Sequence, residues 1–60
     1  MLKLFVIRWE LANRIWESEK CARSPMEALR DFRKACKTRR IPAKVLGIVD
    51  ADGALSIQIV

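Results

Sequence analysis

The sequence contains no histidine, only two cysteines, and two residues each of glycine and proline among 60. Without histidine or a Cys-x-x-Cys pair, one copy of the chain lacks both the ligands of a structural zinc site and a cysteine–histidine nucleophile. Low glycine and proline with 52% hydrophobic residues favour a folded chain over a disordered one. We therefore expect a single domain over residues 1–60 with no catalytic residues, metal or cofactor.

Long hydrophobic runs are missing from the start of the chain. Its first apolar stretch has four residues between Lys3 and Arg8, which is too short for a signal peptide or a membrane span. Cys21 and Cys36 are then expected to be reduced thiols, which usually pack as small hydrophobes. We predict a cytoplasmic protein that does not act at a membrane.

A helix is predicted to begin after Ser24. The segment Ser24-Pro25-Met26-Glu27 has the form of a capping box with proline at the first helical position. Small and apolar side chains then recur at helical spacing: Ala28, Leu29, Phe32, Ala35 and Cys36. We expect the helix to end near Thr38, because a proline at position 42 pushes the residue before it out of the helical region.

The first predicted strand, residues 2–11, is apolar on both faces. Side chains alternate along a strand, so one face carries Phe5, Ile7, Trp9 and Leu11, and the other carries Leu2, Leu4 and Val6. A second strand over residues 15–23 has no clean apolar side. The turn before it holds two, three or four residues, and this number decides which side chains lie beside Trp9. We favour Trp16 on the helix side and interpret both tryptophans as core residues rather than stacking platforms.

Two further strands are predicted on either side of Asp52-Gly53, a strong hairpin signal. A two-residue turn there pairs Ile48 with Ile57 and Leu46 with Ile59. One face then carries Leu46, Ile48, Leu55, Ile57 and Ile59, and the other carries Val45, Gly47, Val49, Ser56, Gln58 and Val60.

Together these elements predict an α+β fold, ββαββ, with a four-stranded antiparallel sheet in the order 2-1-3-4 and one helix packed on one face. The open face of the sheet then presents an apolar patch of Leu2, Leu4, Val6, Val45, Val49 and Val60. Such a patch indicates an interface with a partner protein or with a second copy as a homodimer. The alternatives are that Lys3, Arg8 and Lys44 lie across the patch, or that association uses the edge of the last strand.

Basic residues are concentrated between positions 30 and 44, where seven of the twelve lie against the single acid Asp31. Six of them are predicted to form one outward stripe along the helix and just beyond it: Arg30, Arg33, Lys34, Lys37, Arg39 and Arg40. The stripe suits nucleic-acid phosphates or an acidic protein surface. The alternative is an ordinary solvated face, since the helix dipole favours cations near its end.

The stretch Ala22-Arg23-Ser24-Pro25-Met26-Glu27-Ala28, together with the layout of the elements, resembles small phage-encoded inhibitors of the anti-CRISPR type. The resemblance implies a non-catalytic protein that blocks a nucleic-acid-handling complex. A net charge of +5 favours an acidic or RNA-containing target over mimicry of DNA. The sequence therefore predicts a small basic interaction protein, with nucleic-acid binding through the helix stripe as the alternative.

Overall fold

The computed structural model describes residues 2–50, 52–53 and 55–58, the last range as backbone only. The chain forms β1 (Lys3–Leu11), β2 (Arg14–Ala22), α1 (Pro25–Arg39) and β3 (Lys44–Asp50) in that order. β1 lies between β2 and β3 and is antiparallel to both. The described residues thus confirm the α+β class, with one helix and a three-stranded antiparallel sheet in the order 2-1-3.

Extended backbone is also described for a short segment, β4 (Leu55–Gln58), where Ile57 lies opposite Ile48 as predicted. A register shift then places Leu55 opposite Val49, one residue away from the pairing of a two-residue turn. The predicted pairing of Leu46 with Ile59, and the position of Val60, fall outside the described residues. The complete four-stranded order 2-1-3-4 stays a prediction.

The turn between β1 and β2 settles the register that the sequence left open. It contains two residues, Ala12 and Asn13, with φ of 54° and 62°, and Leu11 lies opposite Arg14. Positive φ at both central positions is typical of the type I′ turns that join twisted antiparallel strands. The prediction that Trp16 lies on the helix side is confirmed, since it is the direct partner of Trp9, which packs against the core.

The core lies between α1 and one face of the sheet. Its buried members are Phe5, Ile7, Ala22, Ala28, Leu29, Phe32, Val45 and Ile48. Ile7 and Ile48 are fully buried and lie opposite each other on β1 and β3. Burying a large aliphatic side chain stabilises the fold by about 1.5–3 kcal/mol, so this pair is a strong link between the sheet and its single helix.

A β-bulge at the start of β3 reverses the predicted faces there. Arg8 lies opposite Gly47 and Trp9 opposite Val45, so Leu46 is the extra residue. Val45 is consequently 7% exposed and belongs to the core, whereas Leu46 is half-buried outside the core cluster. The predictions that placed Val45 in the open-face patch and Leu46 on the helix side are wrong, because one extra residue moves the preceding side chains to the opposite face.

Both ends of α1 are capped. The Ser24 hydroxyl accepts a hydrogen bond from the Glu27 N–H at 3.2 Å, as the sequence predicts. At the other end Arg40 adopts a left-handed conformation with φ of 57°. Its N–H donates to the Lys37 carbonyl at 3.2 Å, and the Ile41 N–H donates to the Cys36 carbonyl at 2.9 Å. These bonds form a Schellman motif.

Replacing the C-cap residue with glycine is expected to stabilise the protein. A left-handed conformation is strained for arginine but not for glycine, so Arg40→Gly should raise the free energy of unfolding by about 0.5–1 kcal/mol in urea denaturation. Arg40→Ala removes the same charge without relieving the strain and is the matched control. An Arg40→Gly protein no more stable than Arg40→Ala would contradict the cap assignment.

The bulge predicts different costs for two similar substitutions in β3. Val45→Thr places a hydroxyl in the core and should lower the free energy of unfolding by about 1–3 kcal/mol. Val49→Thr places the same group on the half-buried open face and should change it by no more than about 0.5 kcal/mol. Equal costs in parallel denaturant titrations would refute the face assignment of Val45.

Candidate functional site

The first candidate surface consists of the six basic helix residues: Arg30, Arg33, Lys34, Lys37, Arg39 and Arg40. All six are exposed. Four of them, at positions 30, 33, 34 and 37, follow the spacing of the helix side opposite the buried Ala28, Leu29 and Phe32. None of the six forms an ion pair with a residue that the structure describes. The helix therefore presents these cations to solvent.

The structure divides the stripe that the sequence treats as continuous. Arg39 follows Phe32 by seven residues and Cys36 by three, which places it on the side of α1 that faces the sheet. There it lines a groove shared with Lys20 of β2. Arg30 and Arg33 line a separate depression beside the start of the helix. Arg40 is the C-cap residue.

The second candidate surface is the open face of the sheet. Leu4, Val6 and Val49 are half-buried there, with Val6 directly opposite Val49, and the adjacent Leu2 is 61% exposed. These four residues are called the open-face patch below. Val45 belongs to the core instead, and Val60 lies outside the described residues, so the described patch is smaller than the predicted one.

An ion pair borders the open-face patch. The Arg8 Nε lies 3.4 Å from the Glu17 carboxylate across β1 and β2, and both side chains are 58% exposed. An exposed pair of this kind contributes about 0–1 kcal/mol to stability. The ion pair also orients the Arg8 side chain toward Glu17 on β2.

A stack of aromatic rings lies on the helix side of the sheet. The rings of Trp9 and Trp16 are stacked, with centroids 5.9 Å apart and planes at 21°. Trp9 also contacts the buried Phe32, with centroids 5.6 Å apart. Trp9 is half-buried and packs against the core, as interpreted from the sequence, but Trp16 is 44% exposed. The interpretation of Trp16 as a core residue is therefore wrong, because this tryptophan extends past the region that α1 covers.

A groove of about 290 Å³ runs between β2 and α1 beside this stack. Its lining combines aromatic, small and charged side chains: Trp9, Ser18, Glu19, Lys20, Phe32, Ala35, Cys36, Arg39 and Ile41. The groove is called the β2–α1 groove below. A neighbouring depression shares Lys20 and Arg39 with it and adds Lys34 and Asp31. Cations from two separate elements thus converge beside Trp9, the ring on which the exposed Trp16 is stacked.

Sequence reasoning missed Lys20 as a candidate site residue and rejected Trp16 as a stacking platform. Both lie on the helix side of β2, at alternate positions with Arg14 and Ser18. The sequence pattern that could have indicated them is the row of polar and aromatic residues at alternate positions of β2. This row can be assigned to the helix side only when the two-residue turn fixes the register.

Other chemistry in the described residues is sparse. Cys21 is exposed and Cys36 half-buried, and both are free thiols. The cysteine, aspartate and glutamate residues among them form no group of three or more suited to a metal ion. No helix in the described part of the chain has the length and apolar character needed to cross a membrane.

No protein-family model, no curated protein and no solved structure matches this chain.

Proposed function

We propose that this chain is a small, non-catalytic nucleic-acid-binding protein that contacts phosphate groups through its basic helix residues. The observation that supports this best is the exposure of all six cations on α1 and its cap. No described acidic residue neutralises them in an ion pair. A polyanion would supply the negative charges that balance these cations.

The chemistry of these contacts also specifies the kind of binding proposed. Lysine and arginine contacts with phosphate supply affinity without sequence information, so the binding is weakly selective. It is also salt-sensitive, because each phosphate contact releases condensed counterions. A cytoplasmic location is part of the same proposal, since that compartment contains nucleic acid and keeps both thiols reduced.

Neutralising two helix cations is expected to weaken binding and flatten its salt dependence. The double variant Arg33→Gln with Lys37→Gln removes two proposed phosphate contacts. The plot of log association constant against log salt concentration has a negative slope. Its magnitude should decrease by about 0.9 per lost contact for duplex DNA and by about 0.7 for single strands. Fluorescence anisotropy of labelled duplex and single-stranded DNA across a salt series measures the slope for each kind of DNA.

The matched control is the double variant Lys3→Gln with Arg23→Gln, which removes the same charge from two exposed positions outside α1. It should change the slope much less than the helix variant does. Equal effects from the two variants would show that net charge, rather than the helix surface, determines binding. Absence of any binding at low salt would reject the proposed function.

A second candidate function is protein association through the open-face patch, in line with the resemblance to small phage-encoded inhibitors. It is favoured by the exposure of Leu2 beside three half-buried aliphatic residues on adjoining strands. The sheet proposed here has the full order 2-1-3-4, with β4 extending it beyond β3. The partner that binds the open-face patch is a second copy of the chain, or a protein of the complex that such an inhibitor blocks.

The homodimer form of this candidate predicts an association that a charge in the patch disrupts. Val6→Lys should raise the dimer dissociation constant by at least about tenfold, because an unpaired charge would be buried at the centre of the interface. Met26→Lys is the control, since Met26 is 64% exposed but lies on α1. Sedimentation velocity over a range of concentrations measures the effect. A protein that remains monomeric throughout would exclude the homodimer.

A further inference from the structure

The exposed tryptophan has the geometry of a platform for another flat ring. The rings of Trp9 and Trp16 are stacked with centroids 5.9 Å apart and planes at 21°, so Trp9 packs against part of the Trp16 ring. Trp16 is nevertheless 44% exposed. A planar aromatic ligand that packed against the exposed part of the Trp16 ring would extend the stack that Trp9 and Trp16 form.

Hydrogen bonds hold both indole rings in place. The Trp9 Nε1–H donates to the Ser18 hydroxyl at 2.9 Å, and the Trp16 Nε1–H donates to the Leu11 carbonyl at 3.4 Å. Trp9 is also packed against Phe32. A ligand that stacks on Trp16 consequently loses little free energy to ordering the side chain, which is the advantage of a preorganised site.

Positive charge from β2 and α1 lies in the groove beside Trp9, the ring that stacks against the platform. Trp9 shares the lining of the β2–α1 groove with Lys20 and Arg39, and these two cations share the next depression with Lys34. Two acids also line this region, Glu19 in the groove and Asp31 in the depression. The groove and the depression together contain three cations and two acids, so their net charge is positive. The exposed Arg14 adds a fourth cation on the face of β2 that carries Trp16.

We infer that the ligand is single-stranded nucleic acid, with one base stacked on Trp16 and the phosphate backbone running along the β2–α1 groove toward Lys34. This inference rests on the proposed nucleic-acid binding and adds the class of strand that is bound. A base in a duplex has both faces covered by its neighbours, whereas a base in a single strand offers a free face. Aromatic stacking beside a cationic groove is the combination that single-strand binders use.

Binding of a labelled deoxythymidine oligomer of about ten nucleotides tests the inference, with a duplex of equal length as the competing ligand. The wild-type chain should bind the single strand more tightly. Trp16→Leu should weaken single-strand binding by about five- to 150-fold, as expected for the loss of one stacked base. It should leave duplex binding nearly unchanged. Ile15→Ala is the control, since Ile15 is exposed on the opposite face of β2.

Two further measurements separate binding from stability, because the Trp9–Trp16 pair also supports the hairpin. Trp16→Phe keeps an aromatic face and should retain most of the affinity that Trp16→Leu loses, provided that circular dichroism shows both folded. In a Trp9→Phe chain the remaining fluorophore is Trp16, since the sequence has two tryptophans and no tyrosine. Its emission should be quenched by the single strand and not by the duplex.

The outcomes distinguish this inference from the proposed function. Salt-dependent binding that Arg33→Gln with Lys37→Gln weakens, but that Trp16→Leu leaves intact, would overturn the stacking platform and keep the helix surface. Equal affinity for single strand and duplex, or an unquenched Trp16, would also overturn it. A chain that binds no nucleic acid at low salt would overturn both.

Discussion

The two-residue turn at Ala12 and Asn13 is the constraint on which the candidate surfaces depend. It sets the register of β2 against β1, and side chains on β2 alternate between the helix side and the open side. A slip of one residue would exchange the two sets, moving Trp16 and Lys20 to the open face and Glu17 to the groove. This turn requires a positive φ at Ala12. Glycine or asparagine adopts that conformation with less strain than alanine.

Features that depend on neighbouring residues could be predicted from the sequence. The start of α1 follows from Ser24 and Pro25, because capping is decided within a few residues. The position of β1 between β2 and β3 follows from its apolar character on both faces. The division of β1 side chains into one set with Phe5 and Ile7 and another with Leu4 and Val6 also follows from the sequence, since alternation along one strand needs no information about the others.

The remaining features depend on how separate elements meet. The bulge at Leu46 leaves an alternating pattern that reads as an ordinary strand, so Val45 was placed on the wrong face. The exposure of Trp16 depends on how far the single helix extends over the sheet. The spacing of Arg39 from Phe32 and Cys36 already places it on the sheet-facing side of α1, so the prediction of one outward stripe overlooks a signal in the sequence. Its position beside Lys20 requires the structure. The errors at Val45 and Trp16 therefore concern relations between elements rather than an element itself.

The alternation along β2 also separates its charges by face. Lys20 and Arg14 lie on the helix side with the cations of α1, whereas Glu17 lies on the other face, paired with Arg8. Together with the exposed cations of α1, this arrangement concentrates positive charge on the helix side of the sheet. Concentrated positive charge steers a protein toward a polyanion before contact is made. The fold thereby favours diffusional encounters in which α1 arrives first.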